Sequence, residues 1–367
     1  MAALRPLQIA TAALGLLLAA CTTTSSSGVS APKAGTGIGQ ASPFLNANLV
    51  DVACASTQQC AAVGINFDGA AASAPLTSST DGGLGWSLDT SAAPAGTKLT
   101  SVACGPVGCL SIGRSLAGSL VYRLDPEASS WTAATRPSKD AVAEAVACAA
   151  KRFCAVVFHD STHHFVSTTL NGGSTWSEGG TLPPTAGAVF QLSCDDAFHC
   201  LAGGIDAQGS GAVTVTTDGG ATWAASNLGT TPANRIWDVA CQSHKNCAIV
   251  ADLSGATTTT ILTSQDGGVT FAPPATPWTQ VTTPRALSCT AASCVVVGAD
   301  ANGHGAAAVF GSNGLGKLLA LTYAPTPLLS VGCSSASRCV GAGLGSLVVL
   351  SPSVPKGSQQ QGGQFRQ

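Results

Sequence analysis

The sequence predicts an all-β fold, a seven-bladed β-propeller of four-stranded blades, on three observations. First, fourteen of its fifteen cysteines fall into seven close pairs. These are Cys54/Cys60, Cys104/Cys109, Cys148/Cys154, Cys194/Cys200, Cys241/Cys247, Cys289/Cys294 and Cys333/Cys339, and their first members are separated by 50, 44, 46, 47, 48 and 44 residues. A near-constant period in this range belongs to propeller arrays. Second, each pair sits between short runs of alternating apolar character, such as Leu49–Cys54 and Ile236–Cys241 before it and Cys294–Gly298 after its second member. Period-2 patterning with β-branched residues marks strands. Third, a Gly-rich turn closed by an aromatic recurs in phase with the cysteines. Four strands in about 45 residues make one blade.

Composition agrees. The chain has 367 residues, with 16 basic and 18 acidic side chains, a net charge of −2 and only 9% charged residues. Long amphipathic helices need many Leu, Glu, Lys and Arg. With no basic excess, nucleic acid is not an expected partner. One segment argues locally for helix: Asp140 to Lys151, DAVAEAVACAAK. It lies in register with six sister segments that alternate as strands, so we read it as a strand.

Paired cysteines can also hold zinc, but zinc sites gather four ligands in one place, usually from pairs with two to four intervening residues. Five of these pairs have five intervening residues and two have four, and they are spread along the whole chain. Seven local disulfides, one per blade, are the better reading for an exported protein. Each short loop contributes about 2 kcal/mol in the chain-entropy picture.

The Gly-rich turns carry a family resemblance. Ser79-Thr80-Asp81-Gly82-Gly83-Leu84-Gly85-Trp86 resembles the Asp-box, or bacterial neuraminidase repeat, of pattern S/T-x-D-x-G-x-x-W. Thr216–Trp223 and Ser264–Phe271 are similar, and Thr169–Trp176 matches with Asn171 in place of Asp. Two units are worn, at Leu124–Trp131 and at Gly311–Gly314, and the last unit has none. We expect the Asp and hydroxyl to bond turn amides, Gly to supply positive φ, and the aromatic to anchor between sheets. Asp81, Asp218 and Asp266 are therefore read as turn scaffolding. The propeller face that holds the disulfides and these turns is read as structural.

The seventh unit offers three strands, around Val331, around Val340 and at Ser346–Leu350. Its outer strand is expected from Ile38 to Ala47, closing the ring.

The chain start gives an address. Arg5 precedes a 14-residue run, Leu7 to Ala20, whose only polar members are Gln8 and Thr11. It is short for a membrane span and suits a signal-peptide core. Leu18-Ala19-Ala20-Cys21 resembles the lipobox of bacterial lipoproteins, which implies acylation of Cys21 and an extracytoplasmic protein anchored to the bacterial membrane. The expected organisation is a signal peptide at 1–20, a flexible tether at 21–37, the propeller at 38–353 and a disordered tail at 354–367.

Function is expected on the propeller face that carries the turns between second and third strands, because loops on a rigid scaffold are where binding resides. That face holds Asp68, Arg114, Asp160, His163, His164, Asp206, Asp252, Asp300 and His304. The links between blades add Arg235, Trp237 and Arg285. These are the candidate ligand-binding residues. Single acids there also serve simply as turn builders. Histidines in turns bind transition metals in some proteins, but no metal and no cofactor is expected here.

The resemblance includes sialidases, which implies an arginine triad and a tyrosine nucleophile with a glutamate partner. Here the tyrosines are Tyr122 and Tyr323 and the glutamates Glu127, Glu144 and Glu178. No residue pattern selects a catalytic pair, and no catalytic residue is assigned. The repeat also looks like non-catalytic Asp-box propellers, including the photosystem II assembly factor type and sortilin-type receptors. A non-catalytic binding or assembly module for a protein or glycan ligand is the leading expectation. A sialidase-like glycoside hydrolase acting on surface glycans is the alternative.

The address is testable. A Cys21→Ser protein, examined by intact mass and membrane fractionation, should lose its lipid mass and leave the membrane; continued membrane association contradicts the anchor.

Overall fold

The computed structural model describes residues 47–351 except 67–73, 90–92, 127, 137–139, 150–151, 184–185, 231, 257–258, 274–280, 312–315, 320–323, 325 and 345. Among the described residues every regular element is a β-strand, arranged as seven antiparallel sheets in a ring. Each sheet is a meander in which consecutive strands pair. The first strand of each blade is the innermost. These are Ala47–Cys54, Lys98–Gly105, Val142–Ala149, Ala186–Cys194, Ala233–Cys241, Thr283–Cys289 and Leu328–Ser335. Together they line a central channel of about 500 Å³.

Helix propensity at Asp140–Lys151 loses to context. Val142–Ala149 is a strand paired with Phe153–His159, and Ala145 and Ala147 are buried between blades 3 and 4. Seven apolar clusters form the core, each shared by two adjacent blades. Ala and Val dominate them, so the blades pack closely and each cluster buries little area.

All seven expected cysteine pairs are disulfide-bonded: Cys54–Cys60, Cys104–Cys109, Cys148–Cys154, Cys194–Cys200, Cys241–Cys247, Cys289–Cys294 and Cys333–Cys339. Each joins directly opposed residues of the first two strands of its blade. The second cysteines also serve the core. Cys60, Cys109, Cys154, Cys200 and Cys339 are at most 1% exposed and belong to the apolar clusters between blades. The reason is their place in the sheet. Each of these second cysteines lies on the second strand, an interior strand covered on both faces by neighbouring blades. They are core residues as well as cross-links, and none of the five offers its sulfur to a ligand at a surface. The first cysteines, in contrast, line the channel.

The turns after the third strands repeat one hydrogen-bond set. In blade 1, the Gly83 amide donates to Ser79 Oγ (2.8 Å), and the Leu84 and Gly85 amides donate to Asp81 Oδ1 (3.0 and 2.8 Å). The Trp86 indole donates to the Gly83 carbonyl at 3.0 Å. Thr216/Asp218 and Ser264/Asp266 repeat the hydroxyl and carboxylate contacts, and Thr169/Asn171 does so with an amide oxygen. Gly82 and Gly83 have φ of 75° and 91°, a region that a Cβ disfavours. Each aromatic packs back against the preceding blade: Trp86 on blade 7, Trp176 on blade 2, Trp223 on blade 3 and Phe271 on blade 4.

Two blades depart from the four-strand expectation. Blade 5 has three strands, and its fourth is reduced to a bridge between Thr263 and Ala272. Pro273 follows directly and has no amide hydrogen for a longer ladder. Blade 7 also shows three strands, and residues 38–46, expected to complete it, lie outside the described residues. Ala47, placed at the end of that outer strand, instead opens the innermost strand of blade 1. The ring nevertheless closes. Arg338 of blade 7 donates to the carbonyls of Asp81 and Gly82 in blade 1 (3.0 and 2.9 Å), and Asn48 bridges Leu344. Leu49 and Val52 pack with Val340 and Leu347.

Candidate functional site

The innermost strands share one place at which their alternation breaks. The register shifts at the residue four before the first cysteine in every blade: Val50, Thr100, Glu144, Phe190, Trp237, Arg285 and Leu329. These are β-bulges, which bend a strand and re-aim a side chain. The partner strand accommodates the bulge with glycine in most blades. A Cβ at Gly64 would lie 2.0 Å from the Asn48 carbonyl, so only glycine fits the close approach. The bulge side chains are at least partly exposed, on the side of the channel that carries the turns between second and third strands. They form a ring of varied chemistry around its mouth.

One residue further along, the strands turn polar groups onto the next blade. Asp51 Oδ2 accepts from the Val102 amide (2.7 Å) and Ser101 Oγ (3.0 Å) of blade 2, and its Oδ1 accepts from Ser330 Oγ of blade 7 (2.6 Å). Asp238 accepts the Leu287 amide of blade 6 at 2.6 Å and its neighbour Val239 at 2.8 Å. Two residues beyond that position in blade 6, Ser288 Oγ accepts the Cys333 amide of blade 7 at 3.0 Å. Burial pushes both carboxyls up from the ordinary Asp range, against the hydrogen bonds they accept. Asp238 is pushed to about 8, with the Asp51 charge adding to the effect.

Blades 4 to 6 assemble the densest group at the mouth. The Arg235 guanidinium lies over Phe190 (5.0 Å) and over Trp237 (4.7 Å), and the Arg285 guanidinium lies 3.9 Å from the Trp237 ring. The Trp237 indole donates to Asp252 Oδ2 at 2.8 Å, which fixes the ring. Stacked guanidiniums keep their in-plane N–H donors for a carboxylate or phosphate. Arg235, Trp237, Asp252 and Arg285 are thus brought together as one feature, and Phe190 joins them although it was not among the expected residues.

The other expected residues divide. Asp160 accepts the Thr162 amide and hydroxyl (2.7 Å each) and the His163 amide (3.0 Å), which pulls it down to about 2. Asp206 accepts the Gln208 and Ser210 amides, and Asp300 those of Asn302 and His304. These three acids build their turns. His163 is exposed beside Phe165, and His304 is exposed over Asp300. Arg114 stands at the exposed end of its strand opposite Lys98. Asp68 lies outside the described residues. His164 turns to the bulge residue Glu144, which His159 also approaches. Tyr122 is buried between blades 1 and 2 with Trp131 rather than presented at a surface.

No family model matches the chain, and no curated protein matches it. Solved structures do match. YCF48 bound to D1 peptide is 14% identical, with a TM-score of 0.64 over 87% of this chain and 98% of that one. YCF48 from Cyanidioschyzon merolae is 13% identical, with a TM-score of 0.62 over 86% and 99%. A catalytically inactive virginiamycin B lyase from Staphylococcus aureus, with quinupristin, is 10% identical, with a TM-score of 0.59 over 86% and 98%. At these identities the likeness is one of fold, and it agrees with the seven-bladed propeller described above.

The channel carboxyls make a pH prediction. A carboxyl raised in the folded state binds a proton there that the unfolded chain releases, so its contribution to stability is fullest below about pH 4 and falls as pH rises toward 8. Urea midpoints across pH 4 to 8 should show this decline, and Asp238→Asn should flatten it. An unchanged slope in the variant contradicts the assignment.

Proposed function

We propose that the chain is a non-catalytic binding module that holds a protein ligand at the mouth of its propeller channel. The observation that carries this reading is Trp237, pinned by Asp252 and flanked by Arg235 and Arg285 at 4.7 and 3.9 Å. Aromatic and arginine side chains in one rigid cluster are the residue types that dominate binding energy at interfaces. Two guanidiniums beside an indole suit a segment bearing carboxylates, an acidic peptide above all. An acidic glycan presents similar groups, with sugar faces for the ring. That a structurally similar propeller, YCF48, is bound to D1 peptide supports a peptide ligand.

The reading also takes the chain to be an Asp-box lipoprotein, acylated at Cys21 and held outside the cytoplasm. Three things support this: the apolar run ending at Cys21, the repeated hydroxyl–carboxylate turns, and seven disulfides, which persist in oxidising compartments. A rigid disc on a tether suits capture of a partner at the membrane.

Cross-linking capture from intact cells with the full lipidated protein tests the site. The partner recovered by wild type should fall at least about tenfold with Trp237→Ala and with the Arg235→Ala, Arg285→Ala pair. Equal capture by these variants contradicts the site, and robust turnover of fluorogenic glycosides contradicts the non-catalytic role.

A further inference from the structure

The bulge of blade 3 carries a different chemistry from the rest of the ring. Glu144 is its bulge residue, and the two histidines beside it form a directly opposed cross-strand pair, His159 ending the second strand and His164 opening the third. His159 Nδ1 lies 2.9 Å from Glu144 Oε1, and His164 Nε2 lies 3.2 Å from Glu144 Oε2. The three ligand atoms lie within 4.8 Å of one another. Both nitrogens are shielded from solvent, yet neither makes a hydrogen bond. An imidazole nitrogen beside a carboxylate with no aligned N–H is free to offer its lone pair to a cation shared with that carboxylate.

We propose that Glu144, His159 and His164 form a binding site for a divalent transition-metal ion. Two imidazoles and one carboxylate are a ligand set that suits zinc, iron and related ions and leaves coordination positions open. Ligand atoms about 2.1 Å from a metal are about 3.0 Å apart along an octahedral edge and about 3.4 Å along a tetrahedral one. The observed 2.9 and 3.2 Å, each from one imidazole to a different carboxylate oxygen, fall at this spacing and fit a carboxylate that offers both oxygens. An outer contact orients the carboxylate: the Val189 amide of blade 4 donates to Glu144 Oε2 at 3.2 Å. Such second contacts tune a metal site. The stacked pair Phe158 and Phe165, 5.7 Å between centroids, stiffens the two strands that carry the histidines.

Accessibility fits a bound ion rather than a core contact. Glu144 and His164 side chains are 11% and 12% exposed and His159 is 37% exposed, so the group lies just beneath the surface and not in the core. The other histidine–carboxylate group, Asp195, Asp196 and His244, has no such unmet nitrogen. There His244 Nε2 is hydrogen-bonded to Asp196 Oδ2 at 2.8 Å, and Asp196 Oδ1 accepts two turn amides. The blade 3 site does not depend on the ligand role given to Trp237.

The test uses the full untagged chain titrated with Zn(II) by calorimetry, with Co(II) absorption as a second readout. Wild type should bind one equivalent with a Kd of about 1 µM or tighter. His159→Ala and His164→Ala should each weaken binding at least about a hundredfold and lose the Co(II) ligand-field bands. His163→Ala, which removes the neighbouring exposed turn histidine, should bind as wild type. Melting curves without metal establish that each variant is folded. Absence of one-equivalent binding in wild type overturns the site. So does undiminished binding by folded His159→Ala or His164→Ala, or an equal loss with His163→Ala.

Discussion

A propeller places the innermost strand of every blade at a sheet edge. One row of its amides and carbonyls has no strand to pair with and faces the channel or the neighbouring blade. An amide buried there without an acceptor costs about 1–3 kcal/mol. In this chain short polar side chains on the innermost strands meet that demand across the blade boundaries. Asp51 ties blades 7, 1 and 2, Asp238 ties blade 5 to 6, Ser288 ties 6 to 7, and Glu144 reaches from blade 3 to 4. Apolar clusters of Ala and Val then fill the space between sheets that these contacts hold together. Disulfides hold each blade within itself, whereas the acceptors join one blade to the next.

The bulge is the same constraint seen from the other side. Turning Asp51 or Asp238 onto the next blade requires a break in alternation just before it, and that break throws the preceding side chain toward the mouth. Stability and site are therefore adjacent in sequence: Trp237 and Asp238 are neighbours with opposite duties. This gives the mouth a position per blade that can vary while Asp51 and Asp238 keep their contacts. Blade 3 fills it with a carboxylate beside two histidines, and blades 4 to 6 fill it with Phe190, Trp237 and Arg285.

The blade count, the disulfide pairing and the turn role of Asp81, Asp218 and Asp266 were legible because all are local and repeat within a few residues. The burial of Cys60, Cys109, Cys154, Cys200 and Cys339 was not, because it depends on the neighbouring blades that cover the second strand. The strand at Asp140–Lys151 was legible only through its register with the other repeats, since its own propensity is helical. The candidate site was legible in part. Arg235, Trp237, Asp252 and Arg285 converge as their place in the repeat implies, whereas Asp160, Asp206 and Asp300 are absorbed by their own turns. The site roles of Phe190 and Glu144 and the acceptor role of Asp51 leave no mark in the local pattern. Their partners lie in other strands or in the next blade, about one repeat away. The shortened blade 5 turns on Pro273, a residue that stops a ladder without altering the repeat length.

The ring rests on the acceptors that join blade to blade, and amide hydrogen exchange reads them directly. Val102 and Leu287 sit on edge strands, yet their amides donate to buried carboxyls. They should exchange only through global unfolding, as slowly as core amides of the second strands. Exchange faster by orders of magnitude, as for an open sheet edge, contradicts the claim that these contacts hold the ring together.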